Sequence, residues 1–265
     1  MSKTLPTVIP ISEVIDEAEG IRTLVFDYKL GAKPGQFVML WLPRVDEKPF
    51  SVWTINENKF CVTVSAVGPF SKKLYGLKVG DKVGFRGPYG KNFTILKNKS
   101  IALVGGGFGT APLLFIAAQA KNCKTDLLIG ARNKKLIFGN KYAENLGVNL
   151  HITTNDGSLG EKGFNTELFE KLLKAKKINP DMVYSCGPEL MMQRVAEICQ
   201  EQNIPCELSL ERYMKCGFGV CGACTMDDSG FCVCKNGPII SGEKALRLSE
   251  FGKYHRDSVG VREKF

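Results

Sequence analysis

Short apolar runs, each closed by turn residues, fill the first hundred positions. Residues 7–11, 21–27, 37–42, 50–55, 59–67 and 82–85 are rich in β-branched and aromatic side chains, and turn pairs such as Pro34-Gly35 and Gly80-Asp81 separate them. Half a dozen strands at this spacing predict a closed antiparallel β-barrel over residues 1–96, with one helix at 71–77 crossing an end.

After Gly87-Pro88-Tyr89-Gly90 the pattern changes. A continuous apolar strand at 100–104 runs into a glycine turn, then an apolar helix at 111–120 and a second strand at 126–130, which is a βαβ unit. Strands at 150–154 and 182–185 each lead to a helical pattern, at 165–175 and 189–202, so residues 97–210 read as a doubly wound parallel sheet that 206–210 closes. Residues 211–265 are cysteine- and glycine-rich and too short for a hydrophobic core of their own, so a metal is expected to hold them. Their end, 244–265, is a basic polar tail that either covers a subunit contact or stays solvated. The expected architecture is therefore β plus α/β in three parts.

Composition narrows the class. At 265 residues, 44% hydrophobic and 24% charged, the chain has enough apolar material for two cores, which excludes a disordered protein and a disulfide miniprotein. No apolar run is long enough to span a bilayer, and residues 1–10 lack the apolar stretch of a secretion signal, so a cytoplasmic protein with no membrane span is expected. The net charge of +9 comes from scattered lysines with few aromatic neighbours, which reads as a solvated basic surface and not a nucleic-acid site.

Ten cysteines change the picture, because five of them, Cys216, Cys221, Cys224, Cys232 and Cys234, fall between positions 216 and 234. Cys216, Cys221 and Cys224 have C-x4-C-x2-C spacing, with Cys234 after nine more residues, the ferredoxin-type arrangement for a 2Fe-2S cluster. Gly217, Gly219 and Gly222 let such a loop wrap so that amides point at the sulfurs. A structural zinc favours two paired C-x2-C knuckles and is the competing reading. Cys234 is expected as the fourth ligand because it ends a strand-like run at a turn, and Cys232 stays open as its rival.

Two further motifs bear on chemistry. Gly105, Gly106, Gly107, Gly109 and Thr110 join a strand to a helix, where amides and a helix N-terminus suit a pyrophosphate, although Pro112 stands where a dinucleotide fingerprint would have its last glycine. Lys48-Pro49-Phe50-Ser51 alone is a proline opening a strand. His151 and His255 have no ligand-like neighbours and read as structural.

Taken together, Pro49-Phe50-Ser51, Gly68-Pro69-Phe70-Ser71, Gly87-Pro88-Tyr89-Gly90, the glycine turn and Cys186-Gly187-Pro188 resemble the ferredoxin-NADP reductase superfamily over about residues 9–210. The resemblance implies FAD in the barrel, contacted by Lys48, Pro49, Phe50, Ser51, Val64, Ser65, Ala66, Phe70 and Ser71, and NAD at the glycine turn and at Cys186, Gly187 and Pro188. It places Ser51 near the flavin and Cys186 near the nicotinamide as catalytic residues. Lys48 departs from the usual arginine; a lysine neutralises a phosphate but cannot grip it with a planar fork.

The appended segment, Glu211-Arg212-Tyr213-Met214-Lys215-Cys216-Gly217 with the short gap to Cys234-Lys235-Asn236-Gly237-Pro238, resembles the electron-transfer subunits of dihydroorotate dehydrogenase B. That resemblance implies electron flow from an FMN-containing catalytic partner through a 2Fe-2S cluster and FAD to NAD+, in pyrimidine biosynthesis and in a heterotetramer of two catalytic and two electron-transfer subunits. This chain has no room for a (β/α)8 substrate barrel, so substrate oxidation falls to the partner. Related subunits of sulfhydrogenases and NAD(P)H-ferredoxin oxidoreductases share much of the pattern and remain the alternative. NAD versus NADP is open too, since Arg132, Lys134 and Lys135 lie where a 2′-phosphate would be met.

Overall fold

The computed structural model describes residues 5–265, so the first four residues of the expected barrel lie outside it. The amino-terminal part holds β1 (Thr7–Pro10), β2 (Glu13–Ala18), β3 (Ile21–Asp27), β4 (Phe37–Leu42), β5 (Asp46–Asn56), β6 (Lys59–Ser65), α1 (Pro69–Tyr75) and β7 (Lys82–Tyr89). They form one curled antiparallel sheet in the order β1-β7-β4-β5-β6-β3-β2. The two edge strands are consecutive in the chain. At the corner between them, the Ile11 amide donates to Asp81 and the Ser12 amide to Val25, so the expected closure is achieved through this corner and not through a ladder. Leu24, Val38, Leu40, Phe60 and Val62 fill the interior, and Phe70 and Leu74 of α1 plug one end. β2 was not anticipated; its sequence, Glu13-Val14-Ile15-Asp16-Glu17-Ala18, mixes acidic and apolar residues without alternation on a half-exposed edge.

The second sheet is built from β8 (Ser100–Gly106), α2 (Thr110–Gln119), β9 (Lys124–Ala131), α3 (Asn140–Leu146), β10 (Asn149–Thr154), β11 (Glu161–Lys162), α4 (Asn165–Lys174), β12 (Met182–Cys186), α5 (Glu189–Glu201) and β13 (Cys206–Ser209). Its order is β11-β10-β9-β8-β12-β13, all parallel, with α2 and α3 on one face and α4 and α5 on the other. This is the expected doubly wound sheet, and apolar strands buried on both faces are its physical signature. The barrel docks against the α2 and α3 face: the Trp53 and Tyr142 rings meet edge-on at 4.9 Å, and the Tyr142 hydroxyl donates to Glu17 at 2.8 Å.

One expectation needs correcting, because β13 does not close the sheet. The carboxyl-terminal segment, with α6 (Val233–Asn236), β14 (Ile239–Ser241), α7 (Gly242–Leu246), β15 (Tyr254–Arg256) and β16 (Arg262–Lys264), adds β14 antiparallel to β13. Too short to bury its own apolar residues, the segment inserts Met214, Met226, Phe231, Val233, Leu248 and Phe251 into the core shared with α5. Nor is the tail solvated coil, since α7 packs on α5 and β15 and β16 pair as a hairpin.

Candidate functional site

The sheet's chain order reverses between β8 and β12, where Gly105 stands opposite Cys186, and such a switch point opens a crevice at the strand ends. The glycine turn and the Cys186-Gly187-Pro188 loop are packed together there. A Cβ on Gly109 would lie 2.7 Å from the Cys186 carbonyl oxygen, and one on Gly106 would lie 2.6 Å from Pro188. Gly107 is different, because its φ is +54° and a Cβ there would meet nothing within 4 Å, so this is where the backbone is open to approach. Thr110, at the start of α2, has a fully buried hydroxyl with no hydrogen-bond partner among the described residues. An open turn, an unsatisfied donor and a ten-residue helix beginning at one point fit a nucleotide pyrophosphate. Asn165, which sequence reasoning missed, steadies the turn by donating to the Gly105 carbonyl at 2.9 Å.

Cys186 is buried, and burial, then the charge of Glu211, pushes its thiol up, with only a hydrogen bond from Ser209 opposing. It remains a neutral thiol. Glu211 is itself pushed up to about 7 by the protein crowding it and by the Glu189 carboxylate, with Arg212 offsetting part of that, although its side chain is exposed.

On the barrel, Lys48, Pro49, Phe50 and Ser51 lie half-buried along β5, and Ser65 and Ala66 are half-buried at the end of β6. The Phe50 ring packs at 6.1 Å from Phe70. This half-buried strip fits a flat cofactor. Val64 and Phe70 are in the barrel core, which leaves only their backbones for a ligand. The Ser71 hydroxyl accepts from the Gly68 and Val67 amides at 3.0 and 3.1 Å and is thereby committed to capping α1.

Three of the clustered cysteines are brought together as one group. Cys224, Cys232 and Cys234 have sulfurs within 4.8 Å of one another. Cys216 and Cys221 lie earlier in the same loop, outside that group. Gly217, Gly219 and Gly222 all have positive φ, and the loop they shape delivers the Val220 amide to the Cys216 sulfur at 3.4 Å. The Cys234 amide likewise reaches the Cys224 sulfur at 3.3 Å. Burial opposes ionisation of Cys216, yet the amides of Cys221, Phe218 and Val220 outweigh it and bring the thiol down to about 6. Cys224 also falls to about 6, through the Cys234 thiol first, against burial, and then through the Cys234 amide and the Cys232 thiol. Thiolates at neutral pH, with amides aimed at them, suit iron ligation.

This loop sits against β4 of the barrel. A Cβ on Gly217 would lie 2.6 Å from Met39, the β4 residue paired with Pro49. The Arg86 guanidinium donates to the Cys216 carbonyl at 3.0 Å and pairs in a fork with Glu47, while Lys48 donates to the Tyr213 hydroxyl at 3.2 Å and lies over its ring. Consecutive residues of β5 thus bind the strip to the cysteine loop.

Residues 211–245 match the family model described as the iron-sulfur cluster binding domain of dihydroorotate dehydrogenase B. Along nearly its whole length the chain is 46% identical to a Methanocaldococcus jannaschii protein, with 96% of this chain and 97% of that one covered. A Methanothermobacter thermautotrophicus protein is 42% identical with 98% of each chain covered, and both relatives are named probable dihydroorotate dehydrogenase B (NAD(+)), electron transfer subunit. The chain belongs to that family. Among solved structures, the NADH-dependent reduced ferredoxin-NADP oxidoreductase superposes with a TM-score of 0.81 at 30% identity over 89% of each chain. The cytochrome b5 reductase domain of Ulva prolifera nitrate reductase, at 19% identity and TM-score 0.60 over 77% of this chain and 95% of that one, shares the fold alone.

Membership in the dihydroorotate dehydrogenase B family gives the cysteine loop its meaning and leaves other groups in supporting roles. Arg212 pairs with Glu189, the first residue of α5, and with Glu250 at 2.7 Å, and all three side chains are almost fully buried. That triad locks the residues before Cys216 to the loop that carries Cys186. His151 meets Asp126 at 3.1 Å and His255 meets Glu263 at 3.3 Å, which are structural contacts. Arg132, Lys134 and Lys135 follow β9, with Arg132, Lys134 and Lys135 exposed and the Lys134 amide donating to Ser158. Arg86, Glu47 and Tyr213 carried no local signal, because their partners are 39 to 165 residues away.

Proposed function

We propose that this chain is the electron-transfer subunit of a dihydroorotate dehydrogenase B, an NAD-dependent oxidoreductase that passes electrons between a catalytic partner and NAD+ by way of a 2Fe-2S cluster and FAD. The observation that carries the reading is the seating of the cysteine loop on the barrel, with Gly217 against Met39 and Arg86 joining Cys216 to Glu47. When bound, nicotinamide exchanges electrons in pairs as hydride, an iron-sulfur centre exchanges them singly, and flavin does both.

Cys216, Cys221, Cys224 and Cys234 are the iron ligands in this reading. Pro49, Phe50 and Ser51 bear on the flavin, with Ser51 as a hydrogen-bond partner, and Lys48, held by Asp46 and Tyr213, supplies positive charge toward the cofactor's phosphates. Gly105, Gly107, Gly109 and Thr110 take the nucleotide pyrophosphate. Cys186, kept neutral by its burial, lies beside the nicotinamide with Gly187 and Pro188.

The catalytic partner carries FMN and oxidises dihydroorotate, and two copies of each subunit assemble in the cytoplasm. No helix among the described residues is long and apolar enough to cross a membrane.

The deciding experiment is anaerobic co-expression with the FMN-containing catalytic subunit. Dihydroorotate-dependent reduction of NAD+ that requires both chains is expected. Co-purification with a nickel-iron hydrogenase subunit, or transfer to ferredoxin without dihydroorotate turnover, favours the reductase alternative.

A further inference from the structure

A 2Fe-2S cluster takes four thiolates, and the loop offers five. Cys224 and Cys232 sulfurs are 3.6 Å apart and Cys232 and Cys234 sulfurs are 3.7 Å apart. Two thiolates on one tetrahedral metal, each at about 2.3 Å, stand about 3.8 Å from each other. Cys232 is therefore already at ligand spacing from Cys224.

We propose that Cys232 is a reserve ligand, able to complete the iron site at Cys224 in place of Cys234; this rests on the four-thiolate reading above. The backbone makes the exchange local. Cys232 and Cys234 flank Val233, which is fully buried and whose amide is anchored to the Cys224 carbonyl at 3.1 Å. Cys232 pairs as a bridge with Thr225 and its amide is capped by Asn236 at 3.1 Å, so its side chain issues from a turn that is fixed whichever thiol is bound. One iron-thiolate bond breaks and another forms, and the proton of Cys232 passes to the released Cys234 sulfur. No electron is gained or lost, and the charge of the site is unchanged. Cys232 is half-buried where Cys234 is buried, so the exchanged site is the more open to water.

The test uses the full chain, reconstituted anaerobically with iron and sulfide in the presence of FAD, as wild type, Cys232→Ala, Cys234→Ala and the double variant. Alanine offers no ligand of its own. Iron and sulfide per chain and the electron paramagnetic resonance spectrum of the reduced protein are measured, with bound flavin as the control for folding. Both single variants are expected to hold about two irons with full signal intensity. The Cys234→Ala spectrum should show shifted g-values, and the double variant should lose most of its iron while keeping its flavin. Loss of iron in Cys234→Ala alone, or in Cys232→Ala alone, overturns the proposal by showing a single obligatory ligand. A wild-type chain that binds flavin but assembles no cluster would instead defeat the four-thiolate reading itself.

Discussion

Arg86 and Cys216 are 130 residues apart in the chain, yet the guanidinium of one donates to the carbonyl of the other at 3.0 Å. Arg86 also forks onto Glu47, and its side chain is 9% exposed against 19% for Glu47, so the pair holds the cysteine loop to the barrel from a largely dry position. Replacing it with methionine keeps the stem and removes the charge. Arg86→Met is expected to cost about 3 kcal/mol by stranding Glu47. It should also make the cluster's midpoint potential more negative, because a positive charge that favours the reduced form is gone. Thermal unfolding and a redox titration read the two effects, and an unchanged potential would mean that Arg86 acts on folding alone.

The Arg212 triad makes a sharper stability prediction. Its two carboxylates, Glu189 and Glu250, are at least as buried as the arginine, and they also accept the amides of Gly252 and Asp227 at 2.9 and 3.1 Å. Arg212→Leu leaves two buried acids facing each other and is expected to destabilise by about 3–5 kcal/mol. Combining Arg212→Leu with Glu189→Gln and Glu250→Gln should recover much of the loss, which chemical denaturation of wild type and the two variants measures.

These two ion networks mark what could be read from the sequence and what could not. Strands such as Phe37–Leu42 and Ser100–Gly106 announce themselves because burial forces apolar side chains into a local pattern. The cysteine loop is legible for a similar reason, since iron dictates spacing within one short segment. Edge elements were lost: β2 is only half-buried, β11 is exposed, and α3 buries only Ala143. The docking of β14 on β13 was hidden by its length of three residues, too short for any periodicity. Arg86 with Glu47, and Lys48 with Tyr213, depend on the fold bringing distant strands together, which no window along the chain reveals.

Gly107 separates nucleotide affinity from flavin affinity. Its positive φ disfavours a branched side chain by about 1–2 kcal/mol, and the added atoms would occupy the open side of the turn. Gly107→Val should raise the KM for NADH in dye reduction and leave the flavin absorption unchanged. If flavin is lost with it, the turn serves the other cofactor.

Glu211 gives the nucleotide site a pH dependence. Because its carboxyl is held up near 7, above its value in an unfolded chain, ionising it opposes the fold, and stability is lost as pH rises from about 4 through 7. Glu211→Gln should therefore gain thermal stability over wild type at pH 8 and little at pH 5. The charge also acts on the ligand, since nicotinamide becomes positive when it gives up hydride. Above pH 7 the carboxylate, whose charge is felt at Cys186, favours NAD+ over NADH, so the glutamine variant should bind NAD+ more weakly at pH 8 and nearly as well as wild type at pH 6. Equal losses at both pH values would assign Glu211 a packing role.

Asp227 makes the last prediction, through the hairpin that ends the chain. Its carboxylate accepts from Tyr254 and Arg256 at 2.8 Å and from Arg262 at 3.0 Å, so a residue between the cysteine ligands holds both strands, β15 and β16. The Arg256 hydrogen bond, then that of Tyr254, against slight burial, draws its carboxyl down to about 2. A depressed carboxyl contributes its full stabilisation above the ordinary value near 4 and surrenders it as pH falls through about 2. The protection of β15 and β16 amides, relative to exchange in an unfolded chain at the same pH, should thus hold to about pH 4 and fall below it. At neutral pH, Asp227→Asn should mimic the acid form, opening Arg256 and Arg262 to trypsin. The backbone amide of residue 227 still reaches Glu250 in that variant, so the iron content should stay intact. Iron lost along with the hairpin would show that the tail braces the cysteine loop itself.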